Sequence, residues 1–184
     1  VSPVVDLVRA GSLVIANKIN TVTAASEANS SGDSLNRYIS KQVVLADGQD
    51  AEDLRVYLTG YKPAGTEIYV YAKFWNSEDS ETFDQKPYTL LEQTTNVTVV
   101  SDTANLDDFK EFEYAIPSSN AASITAGGGA RLNTNNSNVI RYHNSSNGIF
   151  DTYKSYSIKI VLSSSVGTHL VPRVSDIRTI ALQV

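Results

Sequence analysis

The sequence contains no cysteine and no methionine among its 184 residues. Without cysteine the chain forms no disulfide bond and no thiolate metal site, which excludes the disulfide-stapled scaffold of many small secreted proteins. Methionine is absent even at position 1, so we expect a processed chain or a piece of a longer polypeptide. The opening residues lack the basic segment and apolar core of a signal peptide, and no apolar run has the length that spans a membrane.

Histidine and net positive charge are scarce as well. Neither of the two histidines, His143 and His169, has metal-ligand spacing to a carboxylate, and we expect both in turn-rich segments. The net charge is −5 with both signs interspersed, which is unlike the basic surface that binds nucleic acid. We therefore expect no nucleic-acid partner, no membrane partner and no cofactor, and no residue pattern marks a catalytic site.

The abundant residues favour β structure. Hydrophobic residues make up 41% of the sequence, which is enough for a sizeable core. Ten tyrosines stand against five phenylalanines, and tyrosine and β-branched residues fit the half-buried surface of a sheet. The clearest pattern lies in residues 47–75, where two alternating runs flank a turn that contains Pro63 and Gly65. This pattern predicts an antiparallel hairpin.

The apolar positions of the two runs alternate, and we expect them to face the core. They are Leu54, Val56, Leu58, Ile68, Val70, Ala72 and Phe74. Further strands are predicted at Tyr38–Leu45, Tyr88–Gln93, Asn96–Ser101, Phe109–Ile116, Val139–His143, Tyr153–Leu162 and Ile177–Leu182. Short strands, polar turns and the lack of a long helical pattern favour an all-β fold, an antiparallel β-sandwich that is jelly-roll-like.

Two parts of the chain are distinguished by composition. Residues 1–36 are predicted to form an N-terminal extended arm and linker, with two short extended segments around Gly11. A short helix over Leu13–Ile19 is the alternative for part of this arm. Residues 37–184 are predicted to form the β-sandwich domain, and the stretch Ser118–Asn138 within it is predicted to be a long flexible loop.

Four acidic residues fall in the turn that leads into the first run: Asp47, Asp50, Glu52 and Asp53. Clustered carboxylates suit a hard cation such as calcium, which makes this turn a candidate metal site. The spacing differs from that of an EF-hand loop. We favour the alternative, a tight turn at Asp47-Gly48 with solvated acids, and expect no bound metal.

Four aromatic residues occupy outward positions of the two runs: Tyr57, Tyr69, Tyr71 and Trp75. Aromatic rings beside polar groups are typical of carbohydrate-binding platforms, so this row is a candidate ligand face. Cross-strand packing, or cover by a second layer of the protein, accounts for the same residues. A row that is covered would count against sugar binding.

Four segments carry a resemblance to known proteins: Ser2–Leu7, Arg37–Leu45, Asp50–Thr59 with Lys62–Thr66, and Ile158–Leu162 with Val171–Leu182. In this order they resemble a recurring module in virion structural proteins of tailed bacteriophages. The resemblance is greatest to large contractile-tailed phages of cyanobacteria and other marine bacteria, and it extends over most of the chain outside Ser118–Asn138.

The resemblance implies a non-enzymatic part of the tail, baseplate or fibre-attachment apparatus, located in the virion after assembly in the host cytoplasm. It implies other virion proteins as partners and a homo-oligomer in the particle, since tail parts assemble by symmetry. It supplies no catalytic motif. The alternative function is a carbohydrate-binding β-sandwich, either receptor-binding or appended to a glycan-active protein. An enzyme would need paired carboxylates in a cleft, and the sequence marks none out.

Overall fold

The computed structural model describes residues 4–6, 11–13, 27, 30, 32–116, 130–132, 140–146, 148–165 and 170–183. In this part of the chain the strands are β1 (Val4–Asp6), β2 (Gly11–Leu13), β3 (Arg37–Ile39), β4 (Val43–Val44), β5 (Asp53–Tyr61), β6 (Thr66–Trp75), β7 (Thr89–Leu90), β8 (Glu92–Gln93), β9 (Lys110–Ala115), β10 (Ala130–Leu132), β11 (Ile140–His143), β12 (Ile149–Phe150), β13 (Ser155–Ser164) and β14 (Arg173–Leu182). One turn of 3-10 helix, Phe83–Gln85, lies between β6 and β7. Among the residues described, no helix is long and apolar enough to cross a membrane.

Two antiparallel sheets form the body of the protein. The five-stranded sheet has the order β3–β13–β6–β7, with β4 also paired to β13, and the four-stranded sheet has the order β14–β5–β9–β8. Apolar side chains of both sheets form one buried cluster. The prediction of an all-β antiparallel sandwich is confirmed. The chain crosses from one sheet to the other at four connections: β4–β5, β5–β6, β7–β8 and β13–β14. Separately, β1 pairs with β2, and β10, β11 and β12 form a small sheet.

The core is built from alternate residues of the two central strands, as the sequence predicts. The inward side chains of β5 and β6 are each at most 3% exposed: Leu54, Val56, Leu58, Ile68, Val70, Ala72 and Phe74. Burying a Leu, Val, Ile or Phe side chain contributes about 1.5–3 kcal/mol, so this set supplies much of the drive to fold. Tyr153 packs beside Phe74 with ring centroids 4.8 Å apart, and its hydroxyl donates to the backbone carbonyl of Asp53 at 2.7 Å.

The hairpin prediction for residues 47–75 is wrong in its pairing. β5 pairs with β14 and β9, whereas β6 pairs with β13 and β7, so the two strands belong to opposite sheets. The turn between them is local: the backbone N–H and the hydroxyl of Thr66 donate to the carbonyl of Pro63, and Gly65 has a φ of 80°. The turn is therefore a β-arch, a connection between strands of two different sheets, rather than a hairpin. Alternation fixes which face of a strand is buried, but it does not fix the neighbouring strand.

Three other strand predictions need correction. The stretch Tyr38–Leu45 is two short strands, because at Ser40 the side-chain hydroxyl replaces a backbone group and accepts from the N–H of Ile158 at 2.9 Å. The stretch Tyr88–Gln93 is two strands in different sheets, joined at the buried Leu91. The stretch Asn96–Ser101 is a turn, in which Asn96 adopts a φ of 54° and its carbonyl accepts from the N–H of Val99.

Most of residues 1–36 and of Ser118–Asn138 lies outside the described part of the chain, as does the alternative helix after Leu13. The two extended segments predicted around Gly11 correspond to β1 and to β2, which begins at that glycine. Ala130–Leu132 forms β10 within the stretch predicted as a loop. His143 ends β11, and His169 is not among the described residues. The boundary between arm and domain at residue 36 stays a prediction.

Candidate functional site

The two lateral sides of the sandwich differ. On one side the chain passes directly from β7 in the five-stranded sheet to β8 in the four-stranded sheet, and the buried Leu91 lies at the crossing. On the other side the edge strands are β3 and β4 of one sheet and β14 of the other, with no strand of the described chain joining them. We call this second side the open side.

A groove of about 430 Å³ runs along the open side between the two sheets. Its walls come from β3, β13 and β14, and the lining residues are Asn36, Arg37, Tyr38, Ile160, Leu162, Val174, Ser175, Asp176 and Ile177. Ile160 belongs to the buried core, while Leu162, Val174 and Ile177 pack against it and are only partly buried. The groove therefore has an apolar floor that continues from the core, with Arg37 and Asp176 among its polar lining.

The strands that border the groove each have an edge that no other described strand covers. Among the described strands, β14 pairs only with β5, over nine residue pairs, and β3 and β4 pair only with β13. A bulge between Val174 and Asp176 interrupts the ladder of β14, where the hydroxyl of Ser175 donates to the carbonyl of Thr59 at 3.2 Å. An unpaired edge of this length offers backbone donors and acceptors to an added strand.

Exposed apolar side chains are concentrated on the same side. Half of the twelve large hydrophobic side chains that are exposed in the described chain lie on β3, β4 and β14. They are Tyr38, Ile39, Val43, Val44, Ile180 and Leu182, and they are between 37% and 63% exposed. By register, Tyr38 and Val43 lie on the inward face, whereas Ile39 and Val44 lie on the outer face of the five-stranded sheet and Ile180 and Leu182 on that of the four-stranded sheet. The uncovered strand edges and the apolar groove between them, rather than these side chains as a group, make the open side the candidate functional site.

The structure gives the acids of the turn different partners. The Nζ of Lys154 lies 3.0 Å from a carboxylate oxygen of Asp47 and 3.9 Å from one of Asp50. Asp53 is buried and turned away from them: it accepts from the N–H of Leu54 at 2.7 Å and pairs with Arg55 at 3.2 Å. Within the described part of the chain, no group of three or more histidine, aspartate and glutamate side chains is placed to hold a metal ion.

The remaining member of that turn, Glu52, donates its backbone N–H to the carbonyl of Leu182 at 2.8 Å, so the turn fastens the end of β14. Burial raises the pKa of Asp53, and the opposing effects of the Leu54 N–H and of Arg55 do not cancel the increase. These contacts favour a structural role for the acidic turn over a metal-binding role.

The predicted aromatic row is divided between the two sheets. Tyr57 lies on the outer face of the four-stranded sheet, whereas Tyr69, Tyr71 and Trp75 lie on β6 of the five-stranded sheet. Tyr71 is 0% exposed, and burial raises its pKa. The indole N–H of Trp75 donates to the carbonyl of Glu81 at 2.7 Å. The four side chains therefore form no common platform, and the sequence reasoning failed because it placed β5 and β6 in one sheet.

The outer face of the five-stranded sheet, which we call the covered face, holds a buried ion pair instead. Lys159 of β13 and Glu27 are both 0% exposed, with the Lys159 Nζ 3.2 Å from a carboxylate oxygen of Glu27. The same ammonium group lies 5.1 Å from the ring centre of Tyr71 and 4.5 Å from that of Tyr88. The other oxygen of Glu27 accepts from the N–H of Asp33 at 2.9 Å.

Two further buried lysines lie in this layer. The Nζ of Lys73 lies 5.1 Å from the ring centre of Phe83 and 4.7 Å from that of Tyr88. Lys86 forms ion pairs with the buried Asp79 and with Glu81. Burial lowers the pKa of Lys73, and Asp84 opposes the decrease. Sequence reasoning missed this layer, although lysines at outward positions of two otherwise apolar strands signal a requirement for buried partners.

Comparison of the chain with models of known protein families, with curated proteins and with solved structures finds no match.

Proposed function

We propose that this chain is a non-enzymatic structural component of a phage virion, from the tail, the baseplate or the fibre attachment, that acts through protein–protein contacts. Its partners are other virion proteins, and it belongs to the virion after assembly in the host cytoplasm. The observation that supports the contact role is the open side, with an apolar groove between two strand edges that no other described strand covers. The four-segment sequence resemblance carries the virion role.

The open side favours a protein partner over a small ligand. β14 is ten residues long, and its outer edge, which no described strand covers, offers repeated backbone hydrogen bonds that an extended polypeptide satisfies and a small molecule does not. The covered face supports the same proposal, because the tyrosines that a sugar platform would need are split between two sheets and one of them is fully buried.

Peptide mass spectrometry of purified phage particles tests the proposal. We expect tryptic peptides of this chain to co-purify with intact particles through a density gradient, in a constant ratio to the other tail proteins. Recovery of the chain only from the soluble fraction of the lysate, with none in intact particles, would contradict the proposal.

A further inference from the structure

The loop between β6 and β7 holds a buried lysine in contact with two carboxylates. The side chains of Lys86 and Asp79 are 1% and 0% exposed, and that of Glu81 is 17% exposed. The Nζ of Lys86 contacts Oδ2 of Asp79 and Oε2 of Glu81. Charges buried to this extent are costly, because they lose the water that solvates them. One carboxylate is also in excess of what a simple ion pair requires.

The two carboxyl oxygens of Asp79 have different surroundings. Oδ1 accepts hydrogen bonds from the side-chain amide of Asn144 and from the backbone N–H of Glu81, both at 3.0 Å. Oδ2 contacts the amine of Lys86 and accepts no hydrogen bond from the described residues. Two donors on one oxygen stabilise the negative charge that develops there when a nucleophile attacks the carboxyl carbon. The carboxyl group is therefore held as in an oxyanion hole, with an amine at its other oxygen.

Glu81 is placed to carry a proton. Its Oε2 contacts the amine of Lys86, and its Oε1 accepts from the backbone N–H of Ser145 at 2.8 Å, which fixes the carboxylate. Burial raises the pKa of Glu81, whereas the hydrogen bond and the charge of Lys86 lower it. When Lys86 loses its proton this charge disappears, so the carboxylate of Glu81 becomes a stronger base at the step that needs one.

We propose that Lys86 and Asp79 condense to an amide, an isopeptide cross-link between Nζ and Cγ that closes the loop on itself. A proton first moves from the ammonium group of Lys86 to Oδ2 of Asp79, which leaves a neutral amine and a neutral carboxyl group. Nζ then attacks Cγ and forms the new bond, while one proton passes from Nζ to Glu81. The Cγ–Oδ2 bond breaks as Glu81 returns that proton, and Oδ2 leaves as one water molecule.

The condensation needs no oxidant, reductant or further reactant. Well-oriented groups within one molecule react as if each were present at an effective concentration of about 10⁵–10⁸ M, which favours a condensation that free amines and carboxylates do not complete in water. Burial favours it as well, because the amide is neutral whereas the ion pair is charged. The amide nitrogen of Lys86 keeps one hydrogen, so Glu81 still accepts a hydrogen bond from it.

The cross-link would hold a layer of the covered face in place. The same loop carries Phe83 and Tyr88, whose rings lie over the Nζ of Lys73. Because the ring closed by the new bond is short, we expect a small gain in global stability and a larger local effect on the loop. The cross-link does not depend on the proposed virion role, since it concerns a reaction within one chain.

Intact-mass spectrometry of the purified full-length chain, unfolded before measurement, tests the cross-link directly. We expect a mass below that calculated from the sequence by the mass of one water molecule. Lys86→Arg keeps the positive charge but removes the amine, and Glu81→Gln removes the proton acceptor, so both should have their full calculated masses. Glu111→Gln on the outer face of the four-stranded sheet is the matched control and should keep the deficit.

Peptide analysis locates the missing water. Trypsin does not cleave between Lys86 and Pro87, so both partners lie in one tryptic peptide, residues 74–110. We expect the deficit in this peptide and no separated backbone fragments from between Asp79 and Lys86, because a ring holds both ends together. A succinimide at an aspartate has the same mass deficit, but hydroxylamine opens a succinimide and leaves an amide intact.

Three results would overturn the cross-link. They are a full mass for the unmodified chain at neutral pH, a deficit that hydroxylamine removes, and a deficit that persists in Lys86→Arg. The first would show that the three side chains remain an ion-paired cluster, and it does not depend on whether any variant folds. A deficit that persists in Glu81→Gln would overturn the role of Glu81 in proton transfer. None of these results alters the recovery of the chain from virions.

Discussion

The two outer faces of the sandwich use the same kinds of residue in opposite ways. On the covered face Lys159 and Glu27 are fully buried, and the ammonium group of Lys159 lies over the rings of Tyr71 and Tyr88. On the outer face of the four-stranded sheet Arg178 and Glu111 also form an ion pair, but their side chains are 56% and 58% exposed. The comparison shows that the charge pattern of a strand does not reveal how much an ion pair contributes to stability. Burial determines the contribution, because removing one partner leaves the other charge either buried without a partner or solvated by water.

The largest effect is expected from Glu27→Gln on the covered face. The substitution leaves the ammonium group of Lys159 buried without a carboxylate, which costs about 3 kcal/mol or more of the free energy of unfolding. Urea denaturation measures the loss. The matched control is Glu111→Gln on the other face, for which we expect about 0.5 kcal/mol or less. Equal losses for the two variants would mean that the covered face is not buried in solution.

Gly32→Ala should give the next largest effect. Gly32 has a φ of 67°, and a Cβ there would clash with a carboxylate oxygen of Glu27 and lie 2.7 Å from the Nζ of Lys159. Gly48 has a φ of 74° with no atom within 4 Å of its Cβ position, so Gly48→Ala carries only the backbone cost of about 1–2 kcal/mol. Thermal and urea unfolding should show Gly32→Ala losing more stability than Gly48→Ala. A smaller loss for Gly32→Ala than for Gly48→Ala would mean that the Glu27–Lys159 pair does not pack against Gly32.

A pH-dependent loss of stability is expected from Glu81 on the covered face. Burial raises the pKa of Glu81, but hydrogen bonds from Lys86 and Ser145 outweigh this effect and bring the pKa to about 2. The pKa is lower in the folded than in the unfolded chain, where it is near 4.5. The stabilisation is therefore present above pH 4.5 and is lost as the pH falls towards 2.

Urea unfolding at several pH values tests this expectation. Because Glu81 is partly exposed, the loss should be about 1 kcal/mol. Glu81→Gln should unfold with a shallower pH dependence over the same range than the unmodified chain. An unchanged slope would show that the pair with Lys86 does not stabilise the fold.

The smallest effect is expected from Arg178→Ala. Arg178 pairs with Glu111 and lies 3.3 Å from a carboxylate oxygen of Asp176, and all three side chains are more than half exposed. We expect a loss of about 0.5 kcal/mol or less, which falls further with added salt. Urea denaturation at low and high salt measures the loss of stability and its salt dependence. A loss above that of Gly48→Ala would contradict the distinction between the faces.

The sequence predicted the fold class because alternation is a local property. Leu54, Val56 and Phe74 are buried as expected, since their own strands determine which face is apolar. The partner of each strand was not predictable in the same way. A turn with Pro63 and Gly65 serves a hairpin and an arch equally well, and the choice depends on β13 and β14, a hundred residues further along the chain.

The candidate site was less accessible to sequence reasoning for the same reason. The groove exists because β3 and β14 end up as edges on one side, which is a property of strand order rather than of any motif. The ion pair between Glu27 and Lys159 joins residues 132 positions apart, so no spacing rule points to it. Lysine at outward positions of β6 and β13 indicated that partners were required, but not which residues supplied them.

Hydrogen–deuterium exchange of the full-length chain tests most directly the central claim that the open side binds a polypeptide partner. Exchange is compared between a dilute sample and a concentrated one. We predict slower exchange on concentration for peptides that contain β14 and β3, and no change for peptides of the outer loops such as residues 76–87. Unchanged exchange at β14, with protection elsewhere on the molecule, would contradict the claim.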